Sequence, residues 1–282
     1  MKSSGILQPG RNCWRIEKAT RAALIVDADA FFEACRAAML KAQHRIMLIG
    51  WDFDARISLS RQRLPGEPET LGGLIPWLAE RRPGLEIFLL RWDVGAIRTL
   101  FRGTTVFTLL RWAMNKRIFL RLDNASPVGA SHHHKIVVVD DKLAFCGGID
   151  MTSNRWDTRE HLDVDPRRIS PAGKLYAPWH DAAAAVEGPA AAALGDLARE
   201  RWYLAGGKAL DPVVADGDRW PDGLPSHFKD VDIGISRTRP TGSESGSVRE
   251  IENIYLDLIA NARRHIYAES QYFASRRIAE AV

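Results

Sequence analysis

The chain has 282 residues, 46% of them hydrophobic and 26% charged, which is typical of a globular protein with one large domain or two smaller ones. Three scattered cysteines exclude a disulfide framework and a cysteine-based zinc site. The sequence has no secretory signal and no apolar run long enough to span a bilayer, and its net charge of +4 fits a phosphate-bearing or anionic-membrane partner, although small positive charges are common.

Helical and strand patterns alternate along the chain, which predicts an α/β sheet covered by helices on both faces. Helices are predicted over 29–43, 71–80, 98–113, 189–203, 248–264 and 275–282. Strands are predicted over 45–50, 85–90, 118–122, 135–139, 143–146, 183–187 and 265–273. Residues 206–246 are rich in Gly, Pro, Asp and Ser, which is typical of a connecting region, although 231–235 is compatible with a strand inside it.

Two stretches of the chain follow the same order of features. Residues 42–53 align without a gap to residues 262–273, an offset of 220 positions (262 minus 42), and both run from a helix end through a basic pair into an apolar strand and an aromatic-acidic cluster. The similarity indicates an internal duplication whose second copy has barely begun at Val282. Two unrelated helix–strand units are the alternative, because such units are common.

Residues 131–150, SHHHKIVVVDDKLAFCGGID, contain the pattern most indicative of chemistry. His133 and Lys135 are two positions apart on a predicted strand, so their side chains project from the same face. An imidazole beside an ammonium suits attack on a phosphodiester, because the ring supplies a nucleophile and the cation neutralises the phosphoryl oxygens. Gly147 and Gly148 would allow the backbone to approach a bound group closely.

The histidine triplet at 132–134 admits other interpretations. Neighbouring strand residues face opposite ways and no carboxylate or cysteine completes the spacing, so a metal cluster is disfavoured. Core or surface histidines without function are plausible for a lone triplet. The nearby Lys135, Asp140 and glycine pair favour the catalytic interpretation.

The string HHKIVVVD, His133 to Asp140, resembles the first HKD motif of the phospholipase D family, in the branch shared by eukaryotic and related bacterial phospholipases. The resemblance continues through GGID (147–150), RWDT (155–158), PWHD (178–181), VEGPA (186–190), RW (201–202) and YAESQYF (267–273). It therefore extends over most of the chain. The fold it implies is a mixed sheet sandwiched between helices, with 1–205 as a first half, 206–247 as a connection and 248–282 as the start of a second repeat.

The resemblance also implies residue roles. His133 would be one of two active-site histidines, one forming a phosphohistidine and the other protonating the leaving alcohol, and Lys135 would bind phosphate oxygens. Asp140, at an odd spacing from His133, would support the site structurally, and Asp181 would orient the imidazole, with a strand-start or cap aspartate as the alternative. Gly147, Gly148 and Asp150 would contact the substrate.

Two departures from the family pattern stand out. Asp150 occupies a position where the general superfamily motif has Asn. This difference restricts the resemblance to the phospholipase branch of the family, in which the GGID form occurs. The family needs two HKD motifs, yet no second one follows residue 141, and this indicates a truncated product or a fragment.

The expected activity is hydrolysis or transphosphatidylation of glycerophospholipids to phosphatidic acid. The alternatives are a cardiolipin synthase-like phosphatidyltransferase and an inactive half-site; a nuclease of the superfamily is less favoured. The expected partner is a phospholipid at a membrane surface, with no nucleic acid, no metal and no cofactor. A homodimer is expected if the chain is naturally this short, and the expected location is cytoplasmic or peripheral to a membrane.

Overall fold

The computed structural model describes residues 5–62, 64–92, 108, 110–112, 114–125, 133–240 and 246–282. The chain divides into two compact units, one comprising residues 19–125 and 131–231 and the other the segments before 19 and after 231. The residues expected to form the site all lie in the first unit.

An eight-stranded mixed sheet dominates the structure, with strand order β4-β3-β2-β5-β6-β7-β1-β8. The strands are β1 (Arg15–Val26), β2 (Arg45–Gly50), β3 (Glu86–Trp92), β4 (Ile118–Asp123), β5 (Ile136–Val139), β6 (Leu143–Gly147), β7 (Ala182–Glu187) and β8 (Phe228–Ile235). Strands β2, β3 and β4 are parallel, whereas β5 is antiparallel to β2 and the β5–β6, β6–β7 and β7–β1 pairs are antiparallel.

Helices cover both faces of this sheet. Helices α1 (Ala28–Lys41) and α2 (Leu71–Arg81) pack their apolar residues, Phe32 and Leu74 among them, into the core on one face. Helix α3 (Pro189–Leu204) covers the opposite face, where the Trp202 ring meets the Phe88 ring edge to face at 5.0 Å. The central strands are buried on both sides, which explains their continuous apolar sequences. The predicted α/β class, with a mixed sheet between helices, is confirmed.

The second unit contains a short hairpin, β9 (Thr238–Arg239) with β10 (Val248–Arg249), followed by α4 (Glu250–Asn261) and α5 (Arg276–Ala281). Asp257 on α4 accepts hydrogen bonds from Arg11 and Asn12, both at 2.7 Å. Among the described residues of the chain, no helix has the length and apolarity needed to cross a membrane.

Three features differ from the sequence prediction. Residues 265–273, predicted as a strand, lie exposed and without strand structure, because no strand among the described residues pairs with their backbone groups. The twelve-residue β1 was not predicted, since charged residues interrupt the apolar ones over its first half without a regular period. The predicted helix over 98–113 lies mostly outside the described residues. Within that range the structure describes only 108 and 110–112, and these are helical.

Candidate active site

The His133 and Lys135 side chains meet just before β5 begins. The Lys135 Nζ lies 3.3 Å from His133 Nε2 and 3.3 Å from the His133 carbonyl oxygen. The Lys135 carbonyl accepts a hydrogen bond from the Gly147 N–H, which holds the stretch in extended form next to β6. Part of the His133 side chain is exposed, whereas the lysine is buried. The structure therefore places a ring nitrogen and an ammonium side by side at an accessible surface.

The Asp150 carboxylate forms an ion pair with Lys135. Its Oδ2 lies 3.1 Å from Lys135 Nζ, and its Oδ1 accepts hydrogen bonds from the backbone N–H groups of Trp51 at 2.9 Å and Asp52 at 3.3 Å. The carboxylate is buried, and a buried charge needs such a partner. Asp150 is the counter-ion of Lys135 in the structure, and its expected contact with substrate stays a prediction.

A second buried carboxylate, that of Asp52, stabilises the segments around Lys135 and Asp150. Asp52 accepts a hydrogen bond from the Thr152 hydroxyl at 2.8 Å and pairs with the Arg91 guanidinium at 2.7 Å. The ends of β2 and β3 and the segment after β6 are thereby tied together around the Lys135–Asp150 pair.

The glycine pair is required for close packing against the start of β7. A Cβ at Gly148 would lie 2.0 Å from Asp181 Oδ1, and a Cβ at Gly147 would lie 2.5 Å from the Ala182 carbonyl oxygen. The structure therefore explains the two glycines by a packing requirement that the sequence did not suggest. They allow Asp181 and the β7 backbone to approach the site, and their close approach to a bound group stays a prediction.

Burial and neighbouring charges set the protonation of the site. Partial burial of the ring lowers the pKa of His133, and the adjacent Lys135 ammonium lowers it further, while Asp150 and Asp181 act in the opposite direction. Burial raises the pKa of Asp181, opposed by a hydrogen bond from the Ala182 N–H. Among the described residues, no hydrogen bond joins the Asp181 carboxylate to His133. A lowered pKa keeps the imidazole neutral, which is the form that acts as a nucleophile.

Comparison with known proteins identifies the family. The family model for phospholipase D matches residues 38–218, well over half of the chain. The chain belongs to the phospholipase D family.

Named relatives are longer than this chain. It is 28% identical over 312 residues to phospholipase D alpha 1 of Nicotiana tabacum and 29% identical over 321 residues to phospholipase D alpha 1 of Arabidopsis thaliana. The alignments cover 84% and 86% of this chain but 38% and 39% of those proteins. The solved structure of the phospholipase D family member Nuc from Salmonella typhimurium matches with a TM-score of 0.40 and 13% identity, over 65% of this chain and 95% of that one.

The aspartate of the phospholipase D motif lies at the far end of β5 from His133. The buried Asp140 carboxylate accepts hydrogen bonds from the backbone N–H groups of Gln43, His44 and Arg45 at 2.7–2.8 Å. It also accepts one from Arg219 Nε at 2.7 Å. Its contacts thus anchor the start of β2 and do not reach the imidazole.

An aromatic pair borders the candidate site at His133. The Trp51 ring stacks on Trp92 with centroids 5.5 Å apart, and its centroid lies 6.1 Å from that of the His133 ring. Trp51 directly follows the end of β2. The structure shows the indole beside the imidazole.

A separate group of ligand-type atoms lies at the β1–α1 junction. Asp27 Oδ1 is 2.8 Å from His180 Nδ1, and Asp27 Oδ2 is 3.0 Å from His161 Nε2. Such a two-histidine, one-carboxylate set can bind a divalent cation, and the same atoms can equally share protons in hydrogen bonds. Sequence reasoning missed this group because its members are distant in the chain, with no motif spacing between them.

Proposed function

We propose that this chain contributes one half-site of a phospholipase D-type phosphodiesterase that acts on glycerophospholipids. The observation that carries the proposal is the contact of 3.3 Å between His133 Nε2 and Lys135 Nζ at an accessible surface. The names of the plant relatives support the choice of a phospholipid as substrate.

In the proposed first step, a His133 ring nitrogen attacks phosphorus. A P–N bond forms, and the P–O bond to the head-group alcohol breaks. The Lys135 ammonium neutralises the non-bridging oxygens as their charge grows in the transition state. The departing oxygen takes its proton from a second imidazole, supplied by another copy of the motif. Water then attacks phosphorus and gives its proton to the second imidazole, and the P–N bond breaks, which releases phosphatidic acid and restores both histidines. An alcohol in place of water gives transphosphatidylation.

The surrounding residues support these steps. Asp150 fixes the ammonium, because a lysine with a buried counter-ion loses fewer rotamers on binding phosphate. The 282 residues contain one H-x-K-x-x-x-x-D motif, so the second imidazole has to come from a further motif, either in a longer protein or in a second chain. The substrate is presented at a membrane surface, which the protein contacts peripherally.

The test measures choline release from phosphatidylcholine vesicles by the chain at concentrations that span dimerisation, together with mass spectrometry for a phosphatidyl group on His133. His133→Ala should abolish both signals, whereas the exposed His265→Ala, a matched histidine outside the site, should leave both unchanged. Choline release or labelling that survives in His133→Ala removes this residue from the mechanism. Labelling with no more than one choline released per chain identifies a half-site that forms the adduct but does not turn over.

A further inference from the structure

A cavity of about 450 Å³ lies in the first unit and does not include His133 or Lys135 in its walls. It is formed by the first turn of α1, residues 56–61, residues 152–156 and residues 167–176. Its volume is within the range of natural small-molecule sites. Nothing in the mechanism proposed for the half-site uses it.

Three guanidinium groups line this cavity, and two of them are already neutralised. Arg56 pairs with Asp54 at 2.8 Å, and Arg167 pairs with Asp165 at 2.6 Å. The Arg61 guanidinium instead donates to the Arg167 carbonyl at 3.2 Å, and no carboxylate among the described residues forms an ion pair with it. Arg61 therefore has the positive charge that is available to a ligand.

The Trp156 indole fixes Arg61 relative to a carboxylate. The Arg61 Cζ lies 4.5 Å from the Trp156 ring centroid, and the Trp156 Nε1–H donates to Asp29 Oδ1 at 2.9 Å. One rigid ring thus holds a cation over its face and an anion at its edge. A second carboxylate, Glu69, lines the same cavity at an exposed position.

From these contacts we infer that the cavity binds a zwitterionic phosphodiester, of which glycerophosphoethanolamine is the simplest example. A guanidinium held by stacking presents its N–H fork to phosphate oxygens, and the carboxylates receive the ammonium. The apolar walls at Phe32 and Leu59 accept the carbon stem. The site is distinct from the half-site at His133, and the ligand is either the free phosphodiester or the head group of a lipid.

Calorimetric titration of the full chain with glycerophosphoethanolamine tests the inference. Arg61→Gln should weaken binding about tenfold or more, because a charge-assisted contact is lost. Arg81→Gln is the matched control, since its guanidinium also lies 4.5 Å from a tryptophan centroid, that of Trp77, but outside the cavity, and binding should be unchanged. Arg61 and Arg81 are both exposed, so neither variant threatens folding.

Two further variants test recognition of the ammonium group and independence from the half-site at His133. Asp29→Asn should weaken binding of glycerophosphoethanolamine but not of glycerol 3-phosphate, which has no ammonium group. Lys135→Gln should remove any binding of the phosphodiester at the half-site and leave the binding that Arg61→Gln removes, because the cavity does not include Lys135. A parallel arm with phosphatidylethanolamine vesicles identifies the source of the ligand by whether Arg61→Gln reduces vesicle binding.

The inference is overturned by any of three results: no binding to the unaltered chain, equal binding by Arg61→Gln, or loss of binding in Lys135→Gln. The last of these would assign the signal to the half-site at His133. Failure of choline release, by contrast, would count against the proposed function and leave the cavity's binding untouched.

Discussion

Asp140 is the motif residue whose substitution best separates stability from chemistry. The variant Asp140→Asn keeps the size of the side chain but removes its negative charge. In the structure that buried charge receives three backbone N–H groups and the buried Arg219 guanidinium. We expect the variant to lose stability without altering the His133 imidazole.

The magnitude follows from the burial of both partners. The Asp140 and Arg219 side chains are 0% and 2% exposed, so water cannot replace the lost pairing. Removing one member of a buried ion pair leaves the other charge uncompensated and costs about 3–5 kcal/mol. That is a large part of the roughly 5–15 kcal/mol by which a folded domain is stabilised.

Urea unfolding at neutral pH measures the free energy of unfolding of each variant. The double variant Asp140→Asn with Arg219→Met should be more stable than the sum of the two single losses predicts, because it removes both charges. Glu280→Gln is the control, since its partner Arg276 is exposed and such a surface pair contributes only about 0–1 kcal/mol.

A loss below about 1 kcal/mol in Asp140→Asn would refute the reasoning on buried charge. A changed NMR titration of the His133 ring in the folded variant would refute the structural assignment, because it would show that Asp140 acts on the imidazole directly.

Three other predictions concern the site itself. Lys135→Gln should raise the pKa of His133 toward its ordinary value, as measured by NMR, since the ammonium is one of the causes that lower it. Because the pKa of His133 is lower in the folded chain than in the unfolded chain, the unfolded chain binds more protons between the two values. The free energy of unfolding should therefore rise with pH from the folded pKa up to about 6.5, and this rise should be smaller in Lys135→Gln. The same pH dependence in both proteins would contradict the effect assigned to Lys135. Gly148→Ala should lower the melting temperature and displace Asp181, because the added Cβ would lie 2.0 Å from Asp181 Oδ1; a crystal structure of the variant with Asp181 unmoved would disprove this. Asp150→Asn should weaken phosphate binding to the site, as measured by calorimetry, since its Oδ2 holds the ammonium at 3.1 Å; binding equal to that of the unaltered chain would show that the counter-ion does not position the lysine.

Periodicity in the sequence predicted most of the sheet and its covering helices. Strands such as β2 and β3 are continuous apolar runs because both faces are buried, and such runs are visible without a structure. The predicted strand at 265–273 failed because strand formation depends on a partner, and the propensity of the segment does not supply one. Strand β1 was missed for the opposite reason. Its sequence pattern is weak, but it has hydrogen-bonded strand partners on both sides, β7 and β8.

The pair at the site was predictable because it is local. His133 and Lys135 are two positions apart in extended chain, so backbone geometry alone brings their side chains together. The contact of Lys135 with Asp150 was not predictable, because it requires β5 and β6 to pair and the segment after β6 to turn back.

The sequence by itself determined the α/β class, the phospholipase D resemblance and the imidazole–ammonium pair, all of which depend on neighbours along the chain. Only the tertiary structure decided that Asp140 anchors β2, that the glycines admit Asp181, and that Asp27, His161 and His180 converge. The physical reason is that contacts between distant segments depend on sheet order and loop paths. Those are set by burial and pairing over the whole domain and leave no spacing pattern in the sequence.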